Sequence, residues 1–165
     1  MPNDGRVLAI DPGSKRVGLA LSDGLGLIAQ GLETYIRGRG SFLEHIEKLI
    51  TAHGVIRIVV GYPLNMDGSE GDSALAARKL AGTLEERFGL PVSLWDERLT
   101  SKEAHKAFPP GSKKDWDLIA AMFILQAWLD SRSSMGPGFD PAPDAPDPDT
   151  DPEDDFTLDS GGAGV

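Results

Sequence analysis

A mixed α/β sheet, three antiparallel strands extended by two parallel ones and flanked by helices, is the fold class that this sequence predicts. Three observations lead to it. Val7 to Asp11 and Val17 to Asp23 are short alternating apolar runs on either side of Pro12-Gly13-Ser14-Lys15, a hairpin pattern. Two later apolar strands, Ile56 to Val60 and Pro91 to Trp95, are each preceded by an amphipathic helix, as a parallel crossover requires. The last helical segment is apolar on most of its circumference, so it belongs against a sheet face.

Each element has its own signal. Val7, Ala9 and Asp11 share one face of the first strand and alternate with Leu8 and Ile10. Val17, Leu19 and Leu21 alternate with small residues in the second strand, and Ile28 to Ile36 forms the third. Phe42, Ile46, Leu49 and Ile50 recur at helical spacing, which places a helix over 41–53 ended by Gly54. Ile56 to Val60 is a β-branched run of the fully buried kind, and a turn-rich loop follows from Tyr62 to Asp72. Residues 73–88 form a helix with Leu75, Leu80 and Leu84 as its core contacts, closed by Gly89. After the strand ending at Trp95, a short helix covers Leu99 to Phe108, Pro109-Pro110-Gly111 breaks it, and the final helix runs from Asp115 to Ser131.

Composition narrows the function. The longest apolar run, Leu118 to Leu125, is eight residues, well short of the roughly 18 to 20 of a membrane span. The first residues lack the layout of a secretory signal, which makes the cytoplasm the expected location. The absence of cysteine removes disulfides, thiol nucleophiles and cysteine-zinc sites. The formal charge of -10 is uneven: nine acidic residues and no basic ones follow Gly136, leaving 17 acidic residues against all 16 basic ones in residues 1–135. The body is nearly neutral, so overall acidity does not exclude a nucleic-acid partner. Residues 1–135 are expected to form one domain. Residues 136–165, acidic and proline-rich, are expected to be a disordered tail.

Four places carry chemical signals. Asp11 is a carboxylate on an otherwise apolar strand face, costly there unless paired or bound to metal; a turn aspartate before Pro12-Gly13 is the plainer reading. Asp96-Glu97-Arg98 lies at the carboxyl end of a strand, where open α/β sheets place their sites. Alternation lets one of the two acids face the cleft, and Glu97 is the expected one, with Arg98 as a phosphate or carboxylate partner; an exposed charge cluster is the alternative. In Lys113-Lys114-Asp115-Trp116-Asp117, Asp115 reads as an N-cap, and Asp117 as either a first-turn acid or a site residue. The loop Gly61 to Gly71 precedes a helix N-terminus able to receive a phosphate, though it lacks the Gly-Lys-Ser/Thr ending of a Walker loop. His45, His53 and His105 have no ligand spacing, and no serine sits in a nucleophile elbow.

Taken together, Asp11, Glu97 and Asp117 come from three elements that can converge on one sheet edge. An all-carboxylate set selects Mg²⁺ or Mn²⁺, and two such ions about 3.5 to 4 Å apart suit phosphoryl displacement. The basic residues Lys15, Arg16, Arg98, Lys102, Lys106, Lys113 and Lys114 lie beside these acids in sequence, where phosphate contacts are needed.

Four ordered stretches resemble a known family. They are Leu8-Ala9-Ile10-Asp11-Pro12-Gly13-Ser14-Lys15-Arg16-Val17-Gly18-Leu19-Ala20, Val59 to Gly68 with Gly61-Tyr62-Pro63-Leu64-Asn65, Asp96-Glu97-Arg98-Leu99-Thr100-Ser101, and Asp117 to Gln126. They are similar to the YqgF/RuvX family of pre-16S rRNA nucleases and Holliday junction resolvases, over about residues 6 to 130. The resemblance implies an RNase H-like fold, a catalytic set of Asp11, Glu97 and Asp117 holding Mg²⁺ or Mn²⁺, and nucleic-acid contacts from Ser14, Lys15, Arg16, Asn65, Arg98, Lys102, Lys113 and Lys114. It implies branched DNA or pre-16S rRNA as partner without choosing between them. Symmetrical junction resolution calls for a homodimer, and a monomer would cut one strand at a time.

Two other readings stay open at this point. Asp11-Pro12-Gly13-Ser14 is similar to the first phosphate loop of actin-like ATPases and sugar kinases, which clasp nucleotide between two copies of the fold; about 130 residues make only one. A non-catalytic RNA- or DNA-binding module in ribosome assembly or transcription is the other, although three carboxylates at one edge would repel the phosphate it binds. The acidic tail either keeps the chain solvated or imitates nucleic acid in the basic groove.

Overall fold

The computed structural model describes residues 5–99 and 113–135. The chain forms β1 (Arg6–Pro12), β2 (Arg16–Ser22), β3 (Ala29–Ile36), α1 (Phe42–His53), β4 (Val55–Tyr62), α2 (Asp72–Phe88), β5 (Val92–Asp96), a 3-10 turn (Glu97–Leu99) and α3 (Lys113–Met135). The sheet order is β3-β2-β1-β4-β5. β1–β2 and β2–β3 are antiparallel, and β1–β4 and β4–β5 are parallel. The expected mixed five-stranded sheet is therefore the one observed.

Both faces of the sheet are covered, which explains why the central strands are apolar at nearly every position. Leu8, Ile10, Val17, Leu19, Ile58 and Val60 turn to one face and pack with Ile46 and Leu49 of α1 and Ala74, Ala77, Ala81 and Leu84 of α2. Val7, Ala9, Ala20 and Val59 turn to the other and meet Ala121, Ile124, Leu125, Trp128 and Leu129 of α3. Each fully buried Leu or Ile contributes roughly 2 kcal/mol of transfer free energy. The α3 face of the sheet is built from small residues. Ala9 pairs with Ala20, and Gly18 and Gly31 lie on the same side, so the large side chains of α3 settle close to the backbone.

Helix ends follow their sequence signals. Ser41 caps α1 by accepting from the Glu44 amide at 3.3 Å, and Gly54, at φ 64°, returns its N–H to Ile50. Gly89, at φ 66°, ends α2 in the same way with Glu85.

Several expectations need correction. Leu75 is 39% exposed; the buried stripe of α2 is Ala74, Ala77, Ala81 and Leu84, because small side chains let the helix lie close to the strands. Ile28 precedes β3 and is exposed, and Ile56 is exposed within β4. Tyr62 is the last residue of β4 and not part of the loop. The final helix begins at Lys113, so Asp115 sits in its first turn and is not the N-cap; the helix dipole favours an acid there too. Of the short helix expected over Leu99 to Phe108, only the start falls within the described residues, where the chain forms the 3-10 turn; Pro109-Pro110-Gly111 and the tail lie outside them. Among the described residues, no helix is long and apolar enough to cross a membrane.

Candidate metal and nucleic-acid site

Asp11 lies one residue from the end of β1, the central strand. Its antiparallel partner is Gly18 of β2, and the parallel register of Ile10 with Val60 brings Gly61 of β4 alongside. Alternation places Asp11 on the face of Val7 and Ala9, the α3 side, as the sequence indicates. The residues flanking Asp11 in the sheet, Gly18 and Gly61, have no side chain. A Cβ on Gly61 would stand 2.7 Å from Glu97 Oε1, 2.9 Å from Ile124 Cδ1 and 3.5 Å from Asp11 Oδ1. The missing side chain is thus the space into which both carboxylates point.

Glu97 is aimed there by its neighbours. β5 ends at Asp96, whose Oδ1 accepts the Arg98 amide at 2.9 Å and whose Oδ2 takes Arg98 Nη2 at 2.7 Å. This closes a tight turn on one side and leaves Glu97, between them, on the other. Burial, and then the nearby charge and hydrogen bond of Asp11, push the Glu97 carboxyl up to about 8. At Asp96 burial acts upward as well, but the Arg98 hydrogen bonds and charge outweigh it and hold that carboxyl below its usual range.

Asp117, in the first turns of α3, faces the same end of the sheet from above. A Cβ on Gly18 would lie 2.0 Å from the Asp117 carbonyl oxygen, so the helix passes directly over the residue paired with Asp11. The Asp117 side chain is bonded to Arg16, Nε to Oδ2 at 2.8 Å, with both partners about one-third exposed. Among the described residues, no three carboxylate or histidine side chains are gathered closely enough to hold a metal ion. The structure brings Asp11 and Glu97 together and leaves Asp117 adjacent, engaged by Arg16.

The loop after β4 is braced at both ends. Tyr62 Oη donates to Glu70, whose other oxygen meets Arg78 Nη2 at 3.3 Å. Burial and the adjacent Glu70 push the Tyr62 hydroxyl up to about 12, so it stays a donor. Asn65 works inside the loop: its amide donates to the Ser69 carbonyl at 2.9 Å, and its side-chain nitrogen to Ser69 Oγ at 3.0 Å. Arg98 Nη1 reaches the Met66 carbonyl at 3.4 Å and ties the loop to the turn that carries Glu97. Gly71, the α2 N-cap, offers no side-chain hydrogen bond to that helix start.

The expected phosphate contacts divide into three groups. Ser14 and Lys15 are exposed in the β1–β2 turn. Arg16, Arg98 and Asn65 are engaged within the protein. Lys102 and Lys106 lie outside the described residues, as do the side chains of Lys113 and Lys114, whose backbone opens α3. The sequence sets Gly61 at the head of the 61–71 loop and assigns Gly18 no role; both lie inside strands, where a glycine marks close approach of another group.

The donor chemistry fits a hard divalent cation. Two carboxylates face one another, one of them pushed up by burial and then by its neighbour's charge, and such hard oxygen donors suit a divalent cation.

The RuvX family model, described as Holliday junction resolvase, matches residues 5–131. A protein of Lachnospira eligens named "Putative pre-16S rRNA nuclease" is 43% identical over 137 residues, covering 77% of this chain and 98% of that one. One of the same name from Geobacillus kaustophilus is 43% identical over 136 residues, covering 77% and 99%. The Thermus thermophilus RuvC structure solved with a Holliday junction substrate is 13% identical, covers 77% of this chain and 96% of its own, and superposes with a TM-score of 0.54. That likeness establishes the RNase H-like fold, and on the family match and its close relatives the chain belongs to the RuvX family.

Proposed function

We propose that this protein is a divalent-metal-dependent nuclease that hydrolyses phosphodiester bonds in structured nucleic acid, either branched DNA or the 5′ end of pre-16S rRNA. The observation that carries the reading is the Asp11–Glu97 pair in the space left by Gly61, at the carboxyl end of the parallel strands. Asp11 and Glu97 would hold Mg²⁺ or Mn²⁺, and Asp117 would join them on exchanging Arg16 for the metal. Such ions, once bound, activate water and stabilise charge on the phosphate oxygens.

The chain's own groups do the rest. Gly61 keeps both carboxylates at one point. The Asp96–Arg98 turn fixes the direction of Glu97, and Arg98 couples it to the 63–71 loop. Ser14 and Lys15, exposed beyond Asp11, are placed to take phosphate oxygens. A junction substrate would be served by a homodimer with two such sites, and either substrate places the work in the cytoplasm.

The test is a labelled panel: a four-way DNA junction, matched duplex DNA, single-stranded RNA and a precursor 16S 5′ segment, each with Mg²⁺, Mn²⁺ or EDTA. Metal-dependent cutting is the expected result, and the preferred member identifies the substrate. Tight binding that EDTA does not alter, with no cutting of any member, would replace the nuclease by a binding module.

A further inference from the structure

The cations that the sequence places nearest the acids are largely spoken for, Arg16 by Asp117 and Arg98 by Asp96. The β3–α1 connection supplies others at the same end of the sheet. Pro12 pairs with Val17 and Val17 with Tyr35, so the end of β3 stands two strands from the end of β1, roughly 10 Å across. Beyond it come Arg37-Gly38-Arg39-Gly40, and no acidic residue lies between Glu33 and Glu44. Arg37 and Arg39 are exposed, as is Lys15 beside them, and among the described residues no carboxylate pairs with any of the three.

The loop is built to hold this charge outward. The Arg37 amide donates to the Lys15 carbonyl at 2.9 Å, and its Nε donates to the Gly13 carbonyl at 2.7 Å. Phe42 lies 6.0 Å from the guanidinium carbon. One edge of the guanidinium is thereby fixed on the β1–β2 turn while its terminal nitrogens remain for a ligand. Gly38 and Gly40, at φ 92° and 95°, make the turns on either side of Arg39, and the Tyr35 hydroxyl anchors the Gly40 carbonyl at 3.0 Å. A guanidinium held by one edge, next to a lysine and a second arginine, matches the phosphodiester backbone of a strand.

We propose that Arg37 and Arg39, with Lys15, form a phosphate-binding track that holds the nucleic-acid strand flanking the scissile phosphate on the β2–β3 side of the Asp11–Glu97 pair. The proposal rests on the nuclease reading. It gives the substrate a direction, from the carboxylates across the β1–β2 turn to the start of α1, and makes affinity depend on charges the catalytic set does not contain.

The test measures binding of the full chain to a labelled four-way junction and to the pre-16S 5′ segment in EDTA, across about 50 to 200 mM salt. Arg39→Gln should lower the slope of log affinity against log salt by about 0.7 to 0.9, and Arg37→Gln with Arg39→Gln by about twice that. Arg37→Lys should retain the slope although it loses the hydrogen bond to Gly13, separating charge from a loop-bracing role. Arg87→Gln, on α2 and paired with Glu47, serves as the control and should leave the slope unchanged. Thermal unfolding of each variant checks the fold, and cleavage in Mg²⁺ is run on the same samples. Wild-type cleavage with unaltered slopes in the Arg39→Gln and double variants overturns the track and leaves the nuclease standing. Lowered slopes without any cleavage overturn the nuclease, and with it the track's place beside a scissile phosphate, and leave Arg37, Arg39 and Lys15 as a strand-binding surface alone. Wild type that neither binds nor cleaves overturns both.

Discussion

Gly61 lies so close to Glu97 that a single added methyl carbon would stand 2.7 Å from the Glu97 Oε1 atom. The neighbouring atoms it would meet are all side-chain ends, so Gly61→Ala should fold, at a cost of about 1–3 kcal/mol of overpacking. The carboxylates must give way instead. Displacing a reacting group by about 1 Å costs on the order of a hundredfold in rate, and Gly61→Ala should lose cleavage on that scale. Melting curves beside single-turnover cleavage check both halves.

Gly18→Ala should behave differently. Its Cβ would fall 2.0 Å from the Asp117 backbone oxygen, which cannot rotate away, so α3 itself must lift from the sheet. Here the loss should appear first as stability, about 3 kcal/mol or more, in urea unfolding. A Gly18→Ala protein as stable as wild type would contradict the close packing of α3 on β2.

Glu97 makes metal-free stability depend on pH. Its folded value of about 8 lies above its ordinary value of 4.5, so the folded state binds the proton more tightly. The stabilisation is complete below 4.5 and is lost as pH rises through about 8, on the order of 5 kcal/mol in all. Unfolding in EDTA across that range should show the decline, and Glu97→Gln should flatten it. Saturating Mg²⁺ should also remove it, with a proton released on binding.

The Arg16–Asp117 pair is partly exposed, so breaking it should cost no more than about 1 kcal/mol. Its chief effect should be electrostatic: Arg16→Gln frees the Asp117 carboxylate and removes a cation competing with the metal. Calorimetric titration with Mn²⁺ should show tighter binding in Arg16→Gln. Binding no tighter than in wild type would mean that Asp117 does not join the donor set.

The sheet was legible because its strands are patterned on both faces and its turns are marked by Pro12-Gly13, Gly54 and Gly89. Glu97 was legible over Asp96 for the same reason: Trp95 packs on the α3 side, Asp96 turns away, and Glu97 returns. Leu75 misled because periodicity weights large apolar residues, whereas α2 approaches the sheet through alanines. Arg16 and Asp117, 101 positions apart, meet only through the packing of α3 on β2, which no local pattern encodes. Gly18 and Gly61 act by what they lack, and an absent side chain leaves no hydrophobic or charged signal.

In the proposed function, Asp11 and Glu97 together carry metal-dependent phosphodiester hydrolysis. The most direct measurement is single-turnover cleavage of the preferred panel member by wild type, Asp11→Asn and Glu97→Gln, in Mg²⁺ and in EDTA, with each fold verified by its melting transition. Cleavage should occur only in wild type with Mg²⁺, while both variants remain folded. Wild-type rates that persist in either folded variant, or in EDTA, would contradict the assignment.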